Sequence, residues 1–155
     1  MALRKSLVTI LTLRGLSLLL LVLSLIILIT NKNTEADRSH YWKKLYSYSY
    51  MFGISVIGIG HTLLQTIAFV TFRIVMENDK GVLFEFYGDK VISYLLATGA
   101  AAGIGVSIDM MYYNDGYYNA RYFDVGLVSA GCLLFAFVFT ASLSIMSSYA
   151  LQKKV

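Results

Sequence analysis

Proline is absent from all 155 residues. A proline inside a helix removes a hydrogen bond and kinks the segment. Membrane transporters often carry broken helices at a midplane site. Here no proline forces such a break, and only glycine permits one. Cysteine is nearly absent too. Cys132 stands alone in an apolar segment. One cysteine forms no intrachain disulfide, and four-helix membrane enzymes that shuttle thiols need cysteine pairs, so that class is excluded. Cys132 reads as a small buried residue. The chain has two histidines, His40 and His61. That is too few for a haem-carrying bundle or a multi-ligand metal centre, so no metal and no cofactor are expected.

Charge is scarce as well. Charged residues make up 14% of the chain, against 57% hydrophobic. A soluble domain needs a more polar surface than this. The net charge of +4 is spread over termini and loops. Nucleic-acid binding calls for a basic stripe with aromatic platforms, which the sequence lacks, so nucleic acid is not an expected partner. There is no nucleophile–base pair, no pair of carboxylates in one span and no phosphate-cradling loop. No catalytic residue is expected, and the chain reads as a non-enzyme. Asp109, Asp115 and Asp124 do not follow the spacing of a calcium loop and read as solvated loop acids.

What the chain does have is four long apolar stretches, at about 7–29, 50–72, 82–108 and 126–151. About 20 apolar residues cross a bilayer as a helix. The expected fold is an all-α membrane protein, a single four-helix bundle filling residues 1–155. Arg4 and Lys5 ahead of the first stretch resemble the start of a signal peptide. The stretch ends Leu28-Ile29-Thr30 without the small residues that cleavage needs, so it reads as an uncleaved span. Lys and Arg near the membrane ends slightly favour cytoplasmic N- and C-termini. Tyr41, Trp42, Tyr46, Tyr48 and Tyr50 read as an interfacial aromatic belt. Asp115-Gly116 between tyrosine pairs, over Tyr112 to Tyr118, reads as a small β-hairpin.

Two stretches hold opposite charges. Arg14 lies seven residues beyond Leu7, and Asp89 seven beyond Val82. In an up-down-up-down bundle the first and third spans run the same way, so equal offsets mean similar depth. An isolated charge at the bilayer centre costs about 2.5–3.5 kcal/mol by insertion scales. Two readings stand on the residues alone. One is a buried ion pair that fixes the register of spans one and three. The other is a snorkelling Arg14 and an Asp89 seated at a helix N-terminus. His61 and Gln65, four apart, share a helix face and read as an interhelix polar contact. Gly99 and Gly103 form a GxxxG surface. With Gly53 and Gly58 they read as helix-packing or assembly positions.

Leu13-Arg14-Gly15-Leu16-Ser17-Leu18 opens the first span. Tyr87-Gly88-Asp89-Lys90-Val91-Ile92-Ser93-Tyr94-Leu95-Leu96-Ala97-Thr98-Gly99-Ala100-Ala101-Ala102 opens the third. These stretches resemble the Casparian strip membrane domain protein-like (CASP-like) family of plants, related to the MARVEL-domain tetraspans. The likeness covers nearly the whole chain. The family's hallmark is an Arg in the first span and an Asp in the third, which Arg14 and Asp89 match. The resemblance implies a structural or assembly role for that pair, cytoplasmic termini and plasma-membrane residence. It also implies assembly with itself and with related family members, and a scaffold that guides local cell-wall modification with secreted wall-side partners. Founding members form immobile membrane platforms that recruit secreted peroxidases for lignin deposition. Two departures set this chain apart. Many relatives carry cysteines in the second outer loop, and Tyr112 to Val125 has none. The first loop also differs from that of the strip-forming members. Membrane lipid is the remaining expected partner. The second functional reading is a small-solute or ion transporter or channel, supported by His61, Gln65, Asp109 and the glycines of span three.

Overall fold

The computed structural model describes residues 2–31, 45–71, 82–113 and 120–152. Four helices occupy them: α1 (Ala2–Thr30), α2 (Tyr46–Phe69), α3 (Val82–Tyr112) and α4 (Ala120–Gln152). Within these, Val8–Thr30, Tyr46–Phe69, Leu83–Tyr112 and Arg121–Tyr149 are long and apolar enough to cross a membrane. At ~1.5 Å per residue, the 29 residues of α1 reach about 43 Å and the 33 of α4 about 50 Å. Both exceed the ~30 Å hydrocarbon core. No strand occurs among the described residues. The hairpin expected over Tyr112 to Tyr118 is corrected at its start, where α3 continues helically through Tyr112. Its Asp115-Gly116 turn lies outside the described residues, as do Tyr41, Trp42 and His40.

Neighbours around the bundle are α1 with α2, α2 with α3, α3 with α4, and α4 with α1. Thus α1 and α3 face each other across the centre. Polar contacts fix the directions. Ser24 of α1 and Asn31 just past its end meet Ser129 and Tyr122 of α4 in descending order, so that pair is antiparallel. Tyr48 with Ser107, and Gln65 with Phe84, make α2 and α3 antiparallel likewise. The start of α1 and the end of α4 therefore lie at one end of the bundle.

Burial follows a strict rhythm. In α1 the buried residues are Ile10, Arg14, Ser17, Leu21, Ser24, Leu28 and, just beyond it, Asn31. The steps alternate four and three. In α2 the seam is Tyr48, Met51, Ser55, Gly58, Thr62, Gln65 and Phe69, and in α4 it is Tyr122, Gly126, Ser129, Leu133, Ala136, Thr140, Leu143 and Ser147. A period of 3.5 keeps one seam facing its neighbours along a left-handed supercoil. The chemistry of the seam is inverted relative to a soluble protein. Polar and small side chains turn inward, while Leu19 and Ile67 are 61% and 66% exposed. Lipid is as apolar as Leu, so no hydrophobic force drives Leu inward. Close packing and interhelical hydrogen bonds decide which face is buried.

Glycine and alanine let the backbones approach. A Cβ on Gly58 would touch Leu96 and Leu21, and one on Gly99 would touch Ile54 and Leu133. At Gly103 it would lie 2.5 Å from Met51 Sδ and 3.0 Å from Ala130 Cβ. The core is therefore layered. Leu21, Gly58 and Leu96 form one level, followed by Gly99 with Ile54 and Leu133, then Gly103 with Met51 and Ala130. Gly53 has nothing near and faces outward.

Candidate functional site: a buried charge cluster

Toward the end that carries the start of α1, four side chains converge on the middle of the bundle. Arg14 reaches across from α1, and its Nη2 donates to Oδ2 of Asp89 on α3 at 3.0 Å. Both residues are 1% exposed. This is the diagonal of the bundle, which neighbouring helices cannot span by simple side-by-side packing. The guanidinium also lies 5.8 Å from the ring centroid of Phe69 on α2. Ser17 donates to the Arg14 carbonyl one turn on.

The second carboxylate oxygen of Asp89 faces α2. His61 Nε2 stands 3.6 Å from Asp89 Oδ1, too far for a hydrogen bond but close enough for attraction if the imidazole is protonated. One turn further along, Gln65 Nε2 donates to the carbonyl of Phe84 at 3.4 Å. Gly88 makes room for both. A Cβ there would sit 2.5 Å from Gln65 Nε2 and 2.7 Å from His61 Cε1. Arg14 Nε, His61 Nε2 and Gln65 Oε1 are buried and make no hydrogen bond among the described residues. Glu85, one turn before Asp89 on the same helix face, is also buried.

The opposite half of the bundle is joined by neutral groups. Ser24 and Ser129 exchange hydrogen bonds. Each hydroxyl donates to the other's carbonyl, at 2.9 and 2.7 Å. Asn31 Nδ2 donates to the Tyr122 carbonyl at 2.7 Å. Ser107 donates to the Gly103 carbonyl at 2.7 Å and accepts from Tyr48 Oη at 2.8 Å. The Tyr48 ring packs edge-on to Tyr122 at 6.0 Å, and its hydroxyl fills the space where Gly126 lacks a Cβ.

Several of these residues escaped the reading of the sequence. Ser24, Asn31, Ser107, Ser129, Gly88 and Glu85 were not singled out. The signal that finds most of them is heptad spacing of the polar residues. Arg14, Ser17, Ser24 and Asn31 fall on one 3.5-residue seam of an otherwise Leu- and Ile-rich helix. No group of three or more His, Cys, Asp or Glu side chains able to hold a metal occurs among the described residues. The cluster can lock helices together. Within it, the Arg14 guanidinium and the Asp89 carboxylate compensate each other.

Four apolar helices, antiparallel around the ring and tied across the diagonal by an Arg–Asp pair, define a multi-pass four-helix membrane protein. Residues 4–139 match the family model described as the Casparian strip membrane protein domain. The chain belongs to that family. It is 43% identical to CASP-like protein 4D1 of Ricinus communis, over 94% of this chain and 92% of the relative. To CASP-like protein 4D1 of Populus trichocarpa it is 42% identical, over 95% and 88%. To CASP-like protein 4D2 of Arabidopsis thaliana the identity is 37%, over 95% and 91%. No solved structure matches the chain.

Proposed function

We propose that the chain is a plasma-membrane scaffold without chemistry of its own. It assembles laterally with copies of itself and with related family members, and its outer face meets secreted wall-side proteins to guide local cell-wall modification. Both termini lie in the cytoplasm. The observation that carries this reading is the Arg14–Asp89 pair, which joins the two diagonal helices at 3.0 Å. A bundle closed across its centre is a fixed building block. Its outside is then free for lateral contact.

Outward glycines support the same reading. Gly53 and Gly60, seven apart on α2, have nothing within 4 Å of an added Cβ. Small residues on a lipid-facing stripe let a second helix approach closely. Gly58, Gly99 and Gly103 serve internal packing, and Gly53 serves assembly. The departures noted in the outer loops keep peroxidase recruitment out of the proposal.

A transporter is the competing class. Its polar candidates, His61 and Gln65, lie at one end of the bundle. Beyond them Leu21, Leu96 and Leu133 are completely buried in the centre, and Asp109 is exposed on α3. A polar pathway would have to cross those apolar layers. Single-molecule tracking of the full chain in plant plasma membrane tests the scaffold. Slow, clustered motion that quickens on Gly53→Ile with Gly60→Ile is expected. Free diffusion of lone monomers overturns it, and solute or ion flux in proteoliposomes would transfer the function to the transporter class.

A further inference from the structure

A groove of about 610 Å³ opens between α3 and α4 in the same half of the bundle as the charge cluster. Lys90, Ser93, Ser144 and Ser148 supply its polar lining, and Phe137 and Ile145 part of its apolar lining. We infer that this groove is a binding site for one anionic phospholipid of the leaflet at the end carrying both termini. Its phosphate would meet Lys90 and the two α4 serines, and an acyl chain would run along Phe137 and Ile145. This inference is independent of lateral assembly.

Lys90 is the first reason. It sits seven residues beyond Leu83, where the apolar span of α3 begins, about 10 Å along the helix. Its neighbour Asp89 is already taken by Arg14. Lys90 makes no ion pair among the described residues, and its ammonium lies 5.5 Å from the Phe86 ring centroid. An ammonium at this depth needs either to snorkel or to gain an anionic partner. Basic grooves between membrane helices are places where anionic headgroups bind.

The serines are the second reason. Most hydroxyls in these helices bond back to their own helix: Thr12, Ser55, Thr62, Thr66, Ser107 and Ser142 each donate to the carbonyl four residues earlier. Ser144 and Ser148 make no hydrogen bond among the described residues, and both line the groove. Their donors, with the Lys90 ammonium, suit phosphate oxygens. Phe137, about two turns from Ser144 along α4, suits a fatty chain and not a free ion. The groove's place between two membrane-crossing segments supplies lipid as its neighbour.

Native mass spectrometry of the full chain in detergent tests this. Palmitoyl-oleoyl phosphatidic acid and the phosphatidylcholine with the same chains are offered at equal concentration. Wild type should retain one phosphatidic acid with a preference of about fivefold, the scale of one lysine acting on an anionic lipid. Lys90→Gln should abolish the preference and Lys90→Arg keep it. Ala141→Leu, which fills the groove without changing charge, should reduce retention of both lipids. Melting temperatures in phosphatidylcholine alone check folding. If Lys90→Gln does not fold, wild type against Ala141→Leu decides. Equal retention of the two lipids by wild type, an unchanged preference in Lys90→Gln, or undiminished retention of both lipids by Ala141→Leu overturns the proposal. Displacement of the lipid by inorganic phosphate also overturns it, because the site would then take a free ion.

Discussion

The two ends of this bundle are held together in different ways. At the end carrying both termini, a charge on α1 reaches the diagonal helix α3, and α2 joins through His61 beside Asp89. At the opposite end, hydrogen bonds between uncharged groups join ring neighbours among the described residues, α1 with α4 through Ser24, Ser129 and Asn31, and α2 with α3 through Tyr48 and Ser107. The Tyr48 ring reaches the diagonal helix α4 by packing alone, against Tyr122. A charged pair in low dielectric is a single point of failure. Removing one partner strands the other. Neutral hydrogen bonds between membrane helices average ~0.6 kcal/mol each, so several share a small load. One end specifies which helices meet, and the other adds closeness in small increments.

The largest expected effect comes from stranding a charge. Asp89→Leu should destabilise the bundle by about 3–5 kcal/mol, read by denaturant unfolding in micelles. Adding Arg14→Leu should recover most of that loss, because an apolar pair of similar volume replaces a buried ion pair at little cost. The reciprocal swap, Arg14→Asp with Asp89→Arg, should restore part of the folded yield that either single change destroys. If Asp89→Leu unfolds no more easily than wild type, the contrast between the two ends disappears.

Gly88→Val comes next. The added side chain meets Gln65 and His61, and overpacking typically costs about 1–3 kcal/mol. Gly53→Val, with open space around it, should leave unfolding unchanged, and a loss as large as at Gly88 would break the assignment of inner and outer glycines. Smaller still is Ser24→Ala with Ser129→Ala. Two neutral bonds lost together should cost about 1 kcal/mol. A loss near that of Asp89→Leu would show that the neutral end is equally decisive. The smallest effect belongs to Tyr50→Phe. Its hydroxyl meets Thr98 Oγ1 at 3.0 Å on an exposed face, and thermal melting should shift by no more than about 0.5 kcal/mol equivalent.

Much of this was legible in the sequence because membrane helices are written in long apolar runs. Arg14 and Asp89 stood out as the costliest residues in two of those runs, and matching offsets placed them at one depth. Offsets do not reveal rotation about the helix axis, so the residues alone left snorkelling open. The serine and asparagine seam was written in the chain but hidden by the dominance of Leu and Ile around it. Gly88 was harder to see. A glycine is a close-approach site only relative to what packs on it, and Gln65 and His61 lie more than twenty residues away. Lys90 gave no signal either, because its meaning depends on the α4 serines across the groove.

The sequence by itself determined the number of helices, their alternation across a membrane and the depth of the two opposed charges. Those properties depend on local hydropathy and on the fixed rise of a helix. Only the tertiary structure decided that α1 and α3 lie on the diagonal, which glycines face inward, and that Lys90 has no ionic partner among the described residues. In lipid no bulk hydrophobic force orients a Leu-rich helix. Its rotation is chosen by the side chains it finds on its neighbours, and these come from distant parts of the chain.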